Sequence, residues 1–249
     1  MAIGSRDYAR PYLAGGGIPF GVKYLLIING IVFLLQYFTA RTSLDVVFQH
    51  LALVPADVVE RFFLWQLVTY MFLHGGVMHI LINMLTLWMF GSDLERSWGT
   101  RQFLRFYFFC GIGAGVCVVI ANYLFGNPGI GTIGASGAIY GILLVSAILW
   151  PDRIIIFYIF PIKLKYFVMI FGGIAFLGAF NLSSGVSDVA HLSGMAFGYL
   201  FLKVPKTRGI DPMGWINDSY KAWKLARAKR KFQVYLKKQR GSDRDPRVH

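Results

Sequence analysis

Apolar residues in this chain come in runs of helical length, separated by short interruptions that hold charges, glycine or proline. The runs near 22–41, 77–93, 101–125, 136–150, 166–181 and 187–203 predict six helices, each close to the length needed to cross the hydrocarbon of a bilayer. The pattern therefore predicts an all-α polytopic membrane protein. Its parts are an N-terminal segment (1–21), a six-transmembrane-helix bundle (22–203) and a C-terminal tail (204–249). The first apolar run, from Tyr24 to about Ala40, is longer than the core of a signal peptide, so it predicts a retained span.

Composition agrees with this picture. The chain is 56% apolar and only 15% charged, whereas soluble domains carry roughly a quarter charged residues. A formal net charge of +13 raises the question of nucleic acid, but the charge is not spread evenly. Residues 203–249 hold fourteen Lys or Arg against Asp211, Asp218, Asp243 and Asp245, a local net charge of +10. A basic tail directly after an apolar helix marks the cytoplasmic side and attracts the anionic inner leaflet. No nucleic-acid recognition motif accompanies it, so nucleic acid is not among the expected partners. Within the tail Ile216, Tyr220 and Trp223 recur at i, i+4 and i+7, the spacing of a helix lying on that leaflet; a disordered basic tail is the alternative reading.

The shorter connections test the orientation. On the side of the tail, Arg6, Arg10 and Lys23 face Asp7, then Arg96, Arg101 and Arg105 face Asp93 and Glu95, then Arg153, Lys163 and Lys165 face Asp152, and every segment is net positive. On the other side, Arg41 and Arg61 face Asp45, Asp57 and Glu60, the segment 126–135 has no charge, and 181–188 has only Asp188. This alternation predicts both termini on the cytoplasmic side. It makes 151–165 a cytoplasmic connection. The outer stretch 42–73 mixes Leu51, Leu53, Val54, Phe62, Phe63, Leu64, Trp65 and Leu67 with charges and Pro55, which suits a segment at the headgroup level or folded against the helix ends. Cys110 and Cys117 are seven apart on one helix, too far for a disulfide, and read as packing residues.

Candidate chemistry gathers at the outer helix ends. The fourth run opens with Gly134-Ala135-Ser136-Gly137-Ala138-Ile139-Tyr140-Gly141. Gly137 and Gly141, four apart, form a face that lets another helix approach closely. In the sixth run His191 shares a face with Gly194 and Gly198. If the two glycine faces pack together, Ser136 and His191 meet. The second run adds His79 and Asn83, four apart and therefore on one face; a satisfied interhelical hydrogen bond is the plainer reading of that pair. His74 and His79 are five apart, off the i, i+4 face used by helical zinc pairs, and no carboxylate lies near them in sequence. No metal or other cofactor is expected.

A serine hydroxyl becomes an effective nucleophile when a neighbouring base takes its proton, and neutral histidine both accepts that proton and later returns it to the leaving amine. Ser136 and His191 are thus the candidate catalytic pair. The amide of Ser136 at a helix N-terminus, with Asn83 and His79, would supply oxyanion donors. Asp188 is one turn from His191 on the same helix and is expected to face the exterior, which leaves a Ser-His dyad.

These residues carry a resemblance. Trp65-Gln66, then His74 followed by Met78-His79-Ile80-Leu81-Ile82-Asn83, then Gly134-Ala135-Ser136-Gly137, and Ala190-His191 followed by Gly194 together resemble the rhomboid family of intramembrane serine proteases over about residues 20–203. The resemblance implies a six-helix core, Ser136 as nucleophile, His191 as base, and His79, Asn83 and the Ser136 amide around the oxyanion. It also implies that Tyr140 stacks on His191, that Glu95 is structural, and that the substrates are transmembrane proteins cut near the outer face. Gln66 stands where many members have arginine. Two other classes are alternatives: an inactive rhomboid-like protein that binds membrane clients, whose mark is loss of the serine or histidine, and a small transporter or channel, which needs polar groups across the whole bilayer depth. For a bacterial host, the location is the cytoplasmic membrane.

Overall fold

The computed structural model describes residues 17–40, 42–157, 159–179 and 186–203. The N-terminal segment before Gly17 and the tail from 204, with Ile216, Tyr220 and Trp223, lie outside the described residues. Each apolar run forms a helix. The first is α1 (Phe20–Thr39). Three short helices follow, α2 (Asp45–Leu51), α3 (Pro55–Glu60) and α4 (Gln66–Thr69), the last continued by a 3₁₀ turn over Tyr70–Phe72. Next come α5 (Val77–Thr86), a π-helical turn over Leu87–Gly91, and α6 (Ser92–Trp98), which run on as one apolar stretch. Beyond Gly99 lie α7 (Thr100–Phe125), α8 (Ser136–Leu149), α9 (Leu164–Gly178) and α10 (Val186–Lys203). Phe20–Thr39, Val77–Trp98 and Thr100–Phe125 are long and apolar enough to cross a membrane, while α8 and α9 are shorter apolar helices.

The architecture is mostly helical, and the all-α expectation is corrected at one place. Between α8 and α9, β1 (Ile154–Phe157) and β2 (Phe160–Lys163) pair as an antiparallel hairpin, with Ile155 opposite Ile162 and Phe157 opposite Phe160. Three successive isoleucines followed by an aromatic fit an extended strand better than a helix, because branching at Cβ restricts χ1.

At the centre, α7 packs against α1, α3, α4, α6, α8 and α10. Phe103, Phe106 and Tyr107, Cys110, Ala114 and Val118 follow a helical period and are fully buried. Small residues on this helix admit neighbours closely. The Met71 side chain occupies the space a side chain at Gly111 would need, and Phe197 does the same at Gly113.

The segment 45–72 is held by polar contacts. Gln66, fully buried, accepts from the amide of Val54 at 2.9 Å and donates through Nε2 to the His50 carbonyl at 3.2 Å and to Asp57 Oδ2 at 3.5 Å. Thr69 donates to the Leu51 carbonyl at 2.7 Å, and Trp65 donates to that of His50 at 3.2 Å while stacking on Phe63. Gln66 thus brackets three parts of this segment with a neutral side chain.

On the opposite side, Glu95 does comparable work. Its carboxylate is buried and accepts from the amides of Gly21 and Val22, both at 2.7 Å, and from the Thr100 hydroxyl at 2.6 Å. The first amides of a helix have no intrahelical partner and sit at the positive end of its dipole, so a carboxylate there both caps and neutralises α1. Gly21 makes the approach possible: a Cβ there would lie 3.1 Å from both carboxylate oxygens. The chain turns from α6 into α7 at Gly99, whose φ of +82° suits glycine. Glu95→Gln, which keeps the shape but removes the charge, should destabilise the protein by about 2 kcal/mol, read as a lower midpoint of unfolding in mixed micelles.

Candidate active site

Ser136 is the first residue of α8 and is half-buried. The segment before it is stitched to residues 53–70 at three points. Ala56 donates to the Pro128 carbonyl at 2.9 Å, Leu53 and Thr132 exchange hydrogen bonds of 3.0 and 2.8 Å, and Gly134 donates to the Tyr70 carbonyl at 2.9 Å. Gly134 has φ +131°, open to glycine and strained for other residues. A side chain there would also collide with the His79 ring, which lies 2.9 Å from the Cβ position, with Ser136 Oγ 3.7 Å from the same point. His79 and Ser136 therefore face each other across a bare backbone. No side chain caps the start of α8.

His79 accepts a hydrogen bond at Nδ1 from the amide of Gly75 at 3.3 Å. In the neutral ring this puts the proton on Nε2, the nitrogen beside Gly134. One turn along α5, Asn83 is buried and its Nδ2 has no hydrogen-bond partner. A buried donor left unpaired costs about 1–3 kcal/mol, so this amide is poised for an acceptor. His74 packs edge-on against His79 with ring centroids 5.1 Å apart. It is 2% exposed with neither ring nitrogen bonded. Burial first, and the neighbouring His79 second, push its pKa down to about 4.

His191 stands on α10, which meets α8 through backbone. The Gly137 carbonyl fills the place a side chain at Gly194 would take, the Cβ position of Gly141 is 2.9 Å from the Gly194 carbonyl, and that of Gly198 is 3.0 Å from Gly141. Such contact brings the Tyr140 ring parallel to that of His191, with centroids 4.0 Å apart and 5° between planes. No direct hydrogen bond joins Ser136 to His191 among the described residues. Hydrogen bonds of this kind are often long before substrate is bound and tighten with it.

The expectation for Asp188 is corrected. Its carboxylate turns inward, with Oδ1 3.7 Å from His191 Nδ1, and it occupies the space beside Gly178 where a side chain would stand. Being three residues apart puts Asp188 and His191 on one face of α10, and the missing Cβ of Gly178 on α9 leaves room for the acid. His191 Nδ1 is buried and has no hydrogen-bond partner. The i, i+3 spacing was visible in the sequence, but the space at Gly178, ten residues upstream, was not. Among the described residues no three His, Cys, Asp or Glu side chains come together as a metal site.

Residues 61–205, more than half of the chain, match the family model described as the rhomboid domain. The chain belongs to the rhomboid family. RHOMBOID-like protein 4 of Arabidopsis thaliana is 34% identical over 158 residues, which is 62% of this chain and 36% of that protein. The rhomboid-named YdcA of Bacillus subtilis is 32% identical over 147 residues, covering 57% of this chain and 68% of the other. Rhomboid protease GluP of the same bacterium is 40% identical over 79 residues, 32% of this chain and 14% of its own. This rhomboid thus spans little more than a third of the Arabidopsis relative. With its rhomboid domain and apolar helices it is an integral, multi-pass membrane protein.

Proposed function

We propose that this rhomboid is an intramembrane serine endopeptidase that hydrolyses peptide bonds in or near the transmembrane segments of membrane proteins. The observation that carries the reading is that Ser136, at the uncapped start of α8, and a proton-bearing His79 Nε2 both lie beside the bare Gly134 backbone, while α8 is joined by backbone contact to the helix bearing His191.

Ser136 Oγ attacks the carbonyl carbon of the scissile bond while His191 Nε2 takes the hydroxyl proton. The resulting oxyanion draws donors from the Ser136 amide, His79 Nε2 and Asn83 Nδ2, in a site where the α8 dipole also favours negative charge. Collapse of the tetrahedral intermediate breaks the carbon–nitrogen bond, and His191 gives its proton to the departing amine. Water then attacks the acyl-enzyme with His191 again as base, releasing the new carboxylic acid and restoring Ser136. Throughout, Tyr140 holds the imidazole plane, and Asp188 supplies a negative charge beside Nδ1 when the ring becomes imidazolium.

The same reading takes residues 22–203 as a domain of six crossings, with both termini cytoplasmic and Ser136 toward the outer surface, in a bacterial cytoplasmic membrane. The tail from 204 is then a contact for anionic lipid, as its charge suggests. A cysteine placed at Asn127 should react with an impermeant maleimide added outside, and reaction from the cytoplasmic side alone would overturn this orientation.

Ser136→Ala and His191→Ala should each abolish cleavage of a transmembrane model substrate in a folded, inserted protein, and the double variant should be no worse than either, because the two groups act as a unit. Asn83→Ala should lose about 10²–10³-fold, the range for one oxyanion donor. A fluorophosphonate probe should modify Ser136 and no other residue; cleavage by Ser136→Ala at the parent's rate would sink the assignment.

Asp188→Asn preserves the packing at Gly178 and removes the charge. We expect kcat to fall roughly tenfold, about 1.4 kcal/mol, with KM and thermal stability unchanged. Equal kcat for parent and variant would leave His191 without an acidic partner.

A further inference from the structure

The hairpin between α8 and α9 carries apolar side chains that no part of the described protein covers. Its alternation turns Ile155 and Ile162 inward, where Ile155 joins the core, and Phe157 packs edge-on against Phe167 and Phe171 of α9. The other face and the tip are bare: Ile154 is 65% exposed, Ile156 76%, Ile159 80% and Phe160 68%. A hairpin standing in water would rarely present four such residues in one patch.

Helix lengths put this patch near the bilayer. With 14 and 15 residues, α8 and α9 rise about 21–23 Å at 1.5 Å per residue, short of the roughly 30 Å of hydrocarbon. The hairpin joins their ends on the side away from Ser136 and continues the exposed apolar surface of α9 at Tyr166, Met169 and Ile170. At its base Arg153 is paired with Asp93, while Lys163 and Lys165 share Asp152, at 3.2 and 2.9 Å, which leaves one positive charge in excess. A positive base beneath an apolar tip complements an anionic leaflet.

Depth is bounded from the other direction by the backbone. A two-stranded sheet leaves the outer edge of each strand without a strand partner, and hydrocarbon cannot satisfy such edges. The strands must therefore stay at the headgroup level, with only side chains dipping into the acyl region.

We propose that the hairpin is a lipid anchor: Ile154, Ile156, Ile159 and Phe160 insert among the acyl chains of the leaflet facing away from Ser136, while Lys163 and Lys165 lie among anionic phosphates. This holds whether or not Ser136 is a nucleophile. It makes the cytoplasmic connection expected at 151–165 part of the membrane-embedded body.

The test uses the full chain, with Cys110 and Cys117 replaced by alanine, a bimane on Ile156→Cys or, separately, on Ile159→Cys, and vesicles of mixed phosphatidylglycerol and phosphatidylcholine. Circular dichroism and gel filtration check that each labelled protein is folded. Lipids brominated near the top of the acyl chain should quench both probes several-fold more strongly than aqueous iodide. Strong iodide quenching with none by bromolipid at both positions would overturn the anchor, and shielding from both quenchers would point to a protein partner and overturn it equally. Lys163→Gln with Lys165→Gln should lower quenching by brominated phosphatidylglycerol relative to brominated phosphatidylcholine; an unchanged ratio would remove the anionic component.

Discussion

The site depends on two helices touching through backbone. Without hydrocarbon-excluded water to drive them together, helices in a bilayer associate through close packing and polar contacts. Here Gly137 and Gly141 on α8 lie against Gly194 and Gly198 on α10 with no side chain between. Every distance around His191 inherits this closeness. The Tyr140 ring, carried by α8, reaches the His191 ring, carried by α10, in parallel contact only because the axes are so near. Gly178 extends the principle to α9, where the absent side chain leaves space for the Asp188 carboxylate.

Polar groups inside such a body are costly unless paired, and two of the buried ones are fully used. Glu95 binds the start of α1 to the junction of α6 and α7, and Gln66 binds the separate turns of the segment 45–72. The unsatisfied ones are instructive by contrast. Asn83 Nδ2, His191 Nδ1 and both nitrogens of His74 are buried without partners, as are Asn29 Oδ1, Ser92 Oγ, Tyr107 OH, Thr132 Oγ1 and Ser146 Oγ. In the mechanism proposed above, an oxyanion and a charged imidazole would give the first two a partner.

Much of this was legible from residue pattern alone, because apolar length and glycine spacing are local signals. Helices lie where the apolar runs do, and His79 and Asn83 share a face as their spacing requires. What escaped was set by distant neighbours. Asp188 was expected outside because its spacing from His191 does not reveal the room that Gly178 makes. Residues 154–163 read as part of the cytoplasmic connection 151–165 because they lie between two apolar runs, and the extended pairing of Ile154–Phe157 with Phe160–Lys163 becomes apparent only with both strands in view. The function of Gln66 needs three partners up to 16 residues away, which no local window contains.

The three stitches along residues 128–134 bear on how this fold can vary among relatives. Between the Pro128 carbonyl and Gly134 the chain is tied to Ala56, Leu53 and Tyr70 in turn, and α8 starts two residues later. An inserted residue within that span has nowhere to bulge without releasing a stitch; placed after the last one, it would rotate the start of α8 by about 100° and swing the serine off its line. Gly126 and Asn127, upstream of the first tie, have local bonds: the Gly126 amide donates to Asn122, and Asn127 accepts from Gly129 and Ile130. Length changes in this lineage should therefore collect at 126–127 and be purged from 129–136, a spacing ruler written into the loop itself.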